Sequence, residues 1–369
     1  MPHSLRLFLL CLLPGLSGCG EHSEVPTQSA ISLQQALGGD ADPAYIRALA
    51  PRSFSFPEDH GLHQGFRNEW WYLTGNLESE DGKRFGYQLT FFYLAQPPQT
   101  LVAAESAWHS ERIWMAHLAL TDVSGNKHYA YERFTRENPS LAGAQLFPFK
   151  LWLEDWQMTS ANDSSLQPWN VSASTDEIGL NLVLAAVKSP VLQGDAGLSQ
   201  KSATPGNASY YYSMTRLPTA GEVSIGDVIY TVTGNSWLDR EWSTSALDAD
   251  QSGWDWFSLQ FNDGQELMYY QLRTNTGAVH PYSSGNLTDQ NGVQHPVPAT
   301  EVELLELEFW RSPAGITYTT AWEFHYQNLS WRIQAVLENQ LMDLSIPYWE
   351  GAVDIIDLQS GTVVGRGFL

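Results

Sequence analysis

Cysteine is almost absent from this chain of 369 residues, which contains only Cys11 and Cys19. Both lie in the first 20 residues, where Cys11 falls inside an expected signal peptide and Cys19 at its expected cleavage site. A mature chain starting at Cys19, with that cysteine acylated, would have no thiol. Disulfides, thiolate metal ligands and cysteine nucleophiles are therefore not expected.

Basic residues are also scarce: Lys and Arg total 19 against 41 Asp and Glu, which gives a formal net charge of -22. Such a molecule is repelled by phosphate backbones, so nucleic acid is not expected as a partner. Aromatic residues, in contrast, make up 12% of the chain and include 15 Trp. This content suits an aromatic-lined concavity, although Trp that fills β-barrel cores and rims would explain it equally well.

Long hydrophobic runs are missing as well. The apolar run Leu7 to Leu13 follows Arg6 and is too short to span a bilayer as a helix, but it has the layout of a secretory signal. Leu16-Ser17-Gly18-Cys19 then has the pattern of a lipobox, which predicts a mature chain anchored to the membrane through acyl chains on Cys19. Because Gly20 stands where inner-membrane retention signals have Asp, we expect a periplasmic protein anchored to the outer membrane.

Short β-type runs separated by turn residues fill the chain after residue 52, with no long apolar stripe of helical period. Trp70 to Leu77 and Phe85 to Tyr93, joined by an Asp-Gly turn, predict a hairpin. A weak repeat places Trp256 about where Trp71 lies in the first half. The predicted order is a signal peptide (1–18), a flexible tether (19–51), an N-terminal domain (52–245) and a C-terminal domain (246–369). Many strands with short turns predict an all-β fold of antiparallel barrels.

Several blocks resemble the AttH and carotenoid 1,2-hydratase superfamily of tandem lipocalin-like proteins, in particular its exported branch labelled "predicted secreted hydrolase". The resemblance implies two lipocalin-like β-barrels packed side by side with a cleft near their junction. It does not imply one chemistry, because the family includes carotenoid hydratases and fungal cyclases. The blocks are Asn68 to Leu77, Val191 to Asp195, Tyr210 to Leu217, Ser236 to Trp242, Gly253 to Leu259 and Tyr348 to Val353.

The sequence departs from the hydratase pattern at the positions that carry that reaction. The hydratases have a His-x-Trp pair and a Tyr-x-Asp pair, whose Asp protonates a C=C bond. The matching positions here are Arg240 with Trp242 and Tyr269 with Gln271. Since an amide cannot protonate an alkene and a guanidinium stays charged, carotenoid hydration by that mechanism is not expected.

Three carboxylates are the catalytic candidates. In an extended segment Asp239 and Glu241 lie on one face, ~6.6 Å apart, a spacing that suits an acid and a base. The alternative is a structural ion-pair network where the chain crosses between barrels. For Glu69, aromatic neighbours could raise the pKa, or an arginine could pair with the carboxylate.

The expected ligand-binding residues are mainly aromatic, with a few polar partners. His117 is interpreted as either a hydrogen-bonded wall residue or a base, and Asp255 as either a structural or a functional acid. Lys201 is either a cation that neutralises a carboxylate ligand or a solvated loop lysine. The expected binding set is Trp70, Trp71, Tyr72, His117, Arg240, Trp242, Trp254, Trp256, Tyr269 and Gln271.

Signatures of metal and serine chemistry are missing. His60 and His63 lack carboxylates at zinc-type offsets, so we expect no metal site and no cofactor. Neither a Gly-x-Ser-x-Gly elbow nor a Ser-x-x-Lys motif is found, so the hydrolase label gains no support from these residues.

The sequence therefore favours an envelope lipoprotein that binds an apolar, isoprenoid-like small molecule in an aromatic-lined cleft. It would act as a carrier or as a non-hydrolytic isomerase, hydratase or cyclase using carboxylate acid-base chemistry. One alternative is a non-catalytic accessory lipoprotein of an envelope ABC transporter, with the permease as partner. Another is the secreted hydrolase that the branch label suggests.

Overall fold

Strands dominate the computed structural model, which describes residues 44–95, 112–162, 165–245 and 247–369. The expected signal peptide and Cys19 lie outside the described residues. Within them the only helical turns are two short 3-10 turns, Glu58–His60 and Ala299–Glu301. No helix in these ranges has the length and apolar character needed to cross a membrane. The predicted all-β fold class is confirmed.

Twenty-four strands are assigned in the described ranges, and they form two large antiparallel sheets and one small pair. The strands are β1 Asn68–Ser79, β2 Arg84–Ala95, β3 Arg112–Asp122, β4 Lys127–Arg136, β5 Ala142–Gln145, β6 Lys150–Leu153, β7 Trp156–Asn162, β8 Ser165–Ser174, β9 Ile178–Leu184, β10 Val191–Leu192, β11 Leu198–Gln200, β12 Ala208–Ile225, β13 Val228–Ser243, β14 Gln251–Phe261, β15 Glu266–Thr274, β16 Ser284–Thr288, β17 Gln294–Pro298, β18 Val302–Arg311, β19 Thr317–Tyr326, β20 Leu329–Ala335, β21 Leu341–Met342, β22 Tyr348–Trp349, β23 Ala352–Asp357 and β24 Val363–Phe368.

The first sheet contains the 13 strands β1 to β13, in the main order β4-β3-β2-β1-β13-β12-β9-β8-β7-β6-β5. Its two ends approach each other. Arg133 on β4 pairs with Asp155, and the Arg133 guanidinium lies 4.3 Å from the ring centroid of Trp156 on β7. The sheet is thus a nearly closed barrel. The barrel interior is filled by the side chains at every second position of the strands, including Trp71, Leu73 and Leu238.

The second sheet has nine strands in the order β17-β16-β15-β14-β24-β23-β20-β19-β18 and forms a half-barrel. Its smaller core is built from Phe257, Leu259, Trp322 and Ile333. The prediction of two tandem antiparallel units is confirmed, and the second unit is more open than the first.

The half-barrel packs against the outer face of the first barrel. Asn76 on β1 donates a hydrogen bond of 3.0 Å to the carbonyl of Gly367 on β24, and Arg84 on β2 pairs with Asp354 on β23 at 2.6 Å. The first sheet ends at Ser243 and the second begins at Gln251, on either side of the predicted boundary near residue 245.

The segment before residue 52 contacts the first barrel wherever it is described. The amide of Ile46 donates to the carbonyl of Gly65 at 2.8 Å, Ala48 is buried, and the Tyr210 hydroxyl donates to the carbonyl of Ala50 at 2.9 Å. Residues 46–50, which the sequence placed in the tether, therefore pack on the barrel.

Candidate active site in the cleft between the two sheets

A cleft of about 580 Å³ lies where the outer face of the first barrel meets the half-barrel. Strands β1, β12 and β13 supply one wall, and β14, β15, β19 and the segment around β22 supply the other. Aromatic side chains dominate its surface, which matches the expected aromatic-lined concavity. They are Trp70, Tyr72, Phe92, Tyr211, Trp254, Trp256, Tyr270, Tyr318, Tyr348 and Trp349.

Strand alternation on β13 decides which of its side chains reach the cleft. Arg240 and Trp242 point into the first barrel, whereas Asp239 and Glu241 point out and line the cleft. The predicted shared face of the two carboxylates is confirmed, because one strand of regular register carries both.

Asp239 is buried, and its carboxyl group accepts hydrogen bonds from three neutral donors. The Tyr211 hydroxyl donates to Oδ2 at 2.6 Å, while the Ser213 hydroxyl at 2.5 Å and the Trp237 indole N–H at 2.7 Å donate to Oδ1. Burial, reinforced by the charge of Glu241, raises the pKa of Asp239 to about 7 although these hydrogen bonds oppose the rise. The group can therefore take up or release a proton near neutrality.

Glu241, two residues further along, has a cationic neighbour. Its Oε1 lies 3.5 Å from Lys201 Nζ and accepts a hydrogen bond from the Ser209 hydroxyl. Lys201 Nζ also lies 3.9 Å from the ring centroid of Tyr270. Burial acts to lower the pKa of Lys201, but the Glu241 carboxylate and Tyr270 together outweigh it, so that the net pKa is raised and the amine stays charged. Lys201 thus neutralises a carboxylate.

A third carboxyl group, Glu350, completes the cluster from the half-barrel side. The Tyr72 hydroxyl donates to Glu350 Oε1 at 2.6 Å. Burial raises the pKa of Glu350 to about 8. Tyr72 is the direct cross-strand partner of Asp239, and such pairs have Cβ atoms ~5 Å apart, so the phenol stands beside both acids.

Chemically, this arrangement sets two proton-exchanging carboxyl groups on facing walls of an apolar cleft. At pH 7 the Glu350 carboxyl is mainly protonated, and the Asp239 carboxyl is divided between its two forms. A general acid and a general base with pKa values near the working pH are the pairing that proton-transfer catalysis requires.

Glu69 lies inside the first barrel and does not line the cleft. Its carboxylate pairs with Arg240 and with His63 Nδ1 at 2.7 Å. Burial acts to raise the pKa of Glu69, but Arg240 and His63 together hold it below its ordinary value. Arg240 in turn lies 3.8 Å from the Trp71 ring centroid, and His63 stacks on Trp242 at 3.7 Å. This agrees with the structural alternative, in which an arginine pairs with Glu69.

The remaining predicted residues divide between the cleft and its surroundings. Trp70, Tyr72, Trp254 and Trp256 line the cleft, as do Asp255 and Lys201. Trp71, Arg240 and Trp242 belong to the barrel interior, Tyr269 to the half-barrel core, and Gln271 is buried outside the lining.

His117 lies buried behind the cleft wall. Its Nδ1 is 2.8 Å from the Tyr348 hydroxyl, and burial lowers the pKa of His117 to about 3. The imidazole is therefore neutral and holds Tyr348, which agrees with the interpretation as a wall residue.

Sequence reasoning missed the side chains that surround the acids. Glu350, Tyr348, Tyr211 and Trp237 were noted only as members of blocks that resemble a family, without a role. Glu350 could have been found from its place directly after Tyr348 and Trp349, a signal similar to the flanking tryptophans that singled out Asp255. In the described ranges no group of three or more His, Cys, Asp or Glu side chains is placed to hold a metal ion.

Comparison with known proteins finds a family model and several solved structures that match this chain. The family model described as AttH-like matches residues 47–369. A crystal structure provisionally named AttH, from Nitrosomonas europaea, superposes with a TM-score of 0.77 at 30% identity and covers 87% of this chain and 98% of its own. Kievitone hydratase from Nectria haematococca superposes with a TM-score of 0.62 at 13% identity, covering 88% of this chain and 96% of its own. CghA with Sch210972 superposes with a TM-score of 0.51 at 10% identity, covering 90% and 95%. The latter two show the fold alone, and no curated protein matches the chain.

Proposed function

Because this chain belongs to the AttH-like family, with residues 47–369 matched, we propose that its cleft binds a largely apolar small molecule and transfers protons to and from it without hydrolysis. The observation that carries this proposal is the pair of buried Asp239 and half-buried Glu350, two carboxyl groups with pKa values near neutrality on facing walls.

The cleft walls suit an apolar, extended ligand such as an isoprenoid, a polyene or an acyl chain. Pockets for such molecules are concave, mainly apolar and aromatic, with a few polar groups that orient the ligand. Trp70, Trp254 and Trp256 provide flat apolar surfaces, and Tyr72 and Tyr211 present hydroxyls that are already hydrogen-bonded to Glu350 and Asp239.

The proton chemistry divides between the two acids. Protonated Glu350 donates its proton to an unsaturated carbon, and the C=C electron pair forms the new C–H bond. Ionised Asp239 then removes a proton from a neighbouring carbon, which gives an isomer, or from an attacking water, which gives a hydrated product. In each route Glu350 loses one proton and Asp239 gains one, so the net proton count of the protein is unchanged. Proton exchange with solvent then restores protonated Glu350 and ionised Asp239. Kievitone hydratase, which shares the fold, is by name a hydratase and supports this class of reaction.

Binding is tested first, with the neutral fluorophore Nile red and its displacement by geranylgeraniol or retinol. We expect saturable displacement at one site. Failure of all three compounds to bind would contradict the proposal as a whole.

Turnover is then tested by incubating the protein with isoprenoid alcohols and polyenes in D2O and recording deuterium incorporation or added water by mass spectrometry. Asp239→Asn and Glu350→Gln should retain Nile red binding and lose turnover by 100-fold or more, a typical effect of removing a general acid or base (~10²–10⁴). Glu222→Gln, an exposed carboxyl on β12 outside the cleft, is the matched control. Full turnover in both cleft variants would overturn the catalytic assignment, and binding without turnover would support a carrier.

A further inference from the structure

Acidic side chains outnumber basic side chains on the cleft wall. Two cationic side chains, Lys201 and Arg273, line it together with five carboxyl groups. The carboxyl groups are Asp239, Glu241, Asp255, Glu306 and Glu350. An aromatic cleft that needed only to hold a hydrocarbon would gain nothing from these acids, because each one costs desolvation energy when a ligand covers it.

Both cations are already engaged by carboxylates of the wall. Lys201 is paired with Glu241, and Arg273 forms an ion pair with Asp255. Among the described residues, no cation lies within ion-pair distance of Asp239, Glu306 or Glu350. The two cations therefore neutralise Glu241 and Asp255, and the other three carboxyl groups of the wall have no cationic partner.

One carboxyl oxygen on this wall is buried without a hydrogen-bond donor from the described part of the chain. It is Asp255 Oδ2, while the other oxygen of the same group, Oδ1, pairs with Arg273. Since a buried acceptor without a donor is destabilising, a ligand that brings a donor is favoured at this position.

The aromatic walls favour the same kind of ligand. Cations are attracted to the faces of Trp and Tyr, and aromatic surroundings with carboxylates are how proteins recognise ammonium groups. We propose that the ligand of this cleft carries an ammonium group on an apolar frame, placed against Asp255 and among the Trp and Tyr rings. This inference rests on the proposed function and specifies the class of ligand that the same site takes.

The test compares three compounds with the same twelve-carbon chain as displacers of Nile red at pH 7.5, below their micelle-forming concentrations. Dodecylamine is cationic, 1-dodecanol is a neutral hydrogen-bond donor, and dodecanoate is an anion. We expect dodecylamine to bind about tenfold more tightly than dodecanol, and dodecanoate most weakly, since tenfold corresponds to ~1.4 kcal/mol. Equal or tighter binding of dodecanol would overturn the inference while leaving the proposed function intact. If none of the three displaces Nile red, the proposed function itself fails.

Matched variants separate the cleft from the general acidity of the molecule, whose net charge of -22 attracts any cationic amphiphile. Asp255→Asn and Glu222→Gln each replace one carboxyl group with its amide, but only Asp255 lines the cleft. The amine-to-alcohol affinity ratio should fall several-fold in Asp255→Asn and stay at the wild-type value in Glu222→Gln. The same fall in both variants would show that the preference belongs to the surface, and would contradict the inference.

Discussion

At the scale of single residues, two buried acids of this protein have opposite proton affinities because their neighbours differ. Glu69 contacts the Arg240 guanidinium, which favours the carboxylate, and the pKa of Glu69 is lowered. Asp239 is surrounded by the neutral donors Tyr211, Ser213 and Trp237, and burial raises its pKa to about 7. One acid is thus fixed as a structural anion, while the other can exchange protons.

The raised pKa of Asp239 predicts that the protein loses stability as pH rises. The folded pKa of about 7 lies above the ordinary value of 3.8, so the folded state holds a proton that the unfolded state releases. The resulting stabilisation is fully present below about pH 4 and is lost as pH rises to 7, an effect on the order of a few kcal/mol. Asp239→Asn cannot titrate, so its free energy of unfolding relative to wild type should improve from pH 4.5 to pH 8. Urea denaturation of both proteins at the two pH values measures this, with Glu222→Gln as control. A pH-independent difference between wild type and Asp239→Asn would contradict the assignment.

The Glu69–Arg240 pair predicts a different response, because both side chains are buried inside the first barrel. Arg240→Met leaves the Glu69 charge without its guanidinium and should cost ~3–5 kcal/mol. Glu69→Gln combined with Arg240→Met should recover most of this loss, because no uncompensated charge remains. Urea denaturation measures both effects. Nile red binding by the folded fraction should match wild type, and its loss in the double variant would show that the pair also serves the cleft.

The sequence could predict part of this site but not the whole. Strand alternation is a local rule, and it correctly placed Asp239 and Glu241 on one face. It also sends Glu69 and Trp71 to the face opposite Trp70, which the aromatic content alone could not reveal. The Tyr72–Glu350 contact spans 278 positions, and no local period connects residues so distant.

At the scale of elements, the buried Glu266 on β15 joins the two sheets. It accepts hydrogen bonds from Lys188 Nζ at 2.7 Å and from Arg216 on β12, and Thr215 donates to it at 3.3 Å. Two cations from the first barrel thus converge on one carboxylate of the half-barrel. This junction joins β12, which supplies one wall of the cleft, to β15, which supplies the other.

Glu266→Gln should therefore weaken the coupling between the sheets as well as the total stability. Removing one partner of a buried ion network costs ~3–5 kcal/mol, and here two cations lose their counter-charge. In differential scanning calorimetry we expect a lower Tm and a transition that broadens or splits into two. Glu222→Gln, which leaves the junction intact, should unfold like wild type. A single sharp transition at an unchanged Tm would show that other contacts hold the sheets together.

The sequence predicted strands correctly in segments with clear turn residues and a clear alternation of apolar and polar residues. The hairpin of β1 and β2 is confirmed, with an antiparallel register from Asn68–Leu94 to Glu78–Arg84. The internal repeat was less informative: Trp71 fills the barrel core, whereas Trp256 points outward and donates to the Tyr211 hydroxyl at 3.2 Å. The strand-turn-strand pattern of a hairpin does not by itself specify which face of a strand is buried in the core.

At the scale of the whole molecule, the aromatic cleft, the negative net charge and the N-terminal sequence together bear on how a ligand reaches the protein. A cleft with aromatic walls suits molecules that dissolve poorly in water and reside in membranes. A net charge of -22 disfavours contact with anionic lipid surfaces, and a covalent anchor would hold the protein beside a membrane despite this repulsion. We propose that acylated Cys19 is that anchor and that the protein works in the periplasm at the outer membrane.

This proposal predicts the chemical form of the mature N-terminus in a Gram-negative host. Wild-type protein should co-sediment with membranes, and its intact mass should correspond to a chain starting at Cys19 with added acyl chains. Several acyl chains hold a protein stably, since each buried methylene contributes about 0.8 kcal/mol. Cys19→Ala should lose acylation and membrane association, whereas Cys11→Ala should behave like wild type because Cys11 leaves with the signal peptide. A wild-type protein that is free in the periplasm, with an unmodified N-terminus, would contradict the anchor. The ligand would then have to reach the cleft through the aqueous phase.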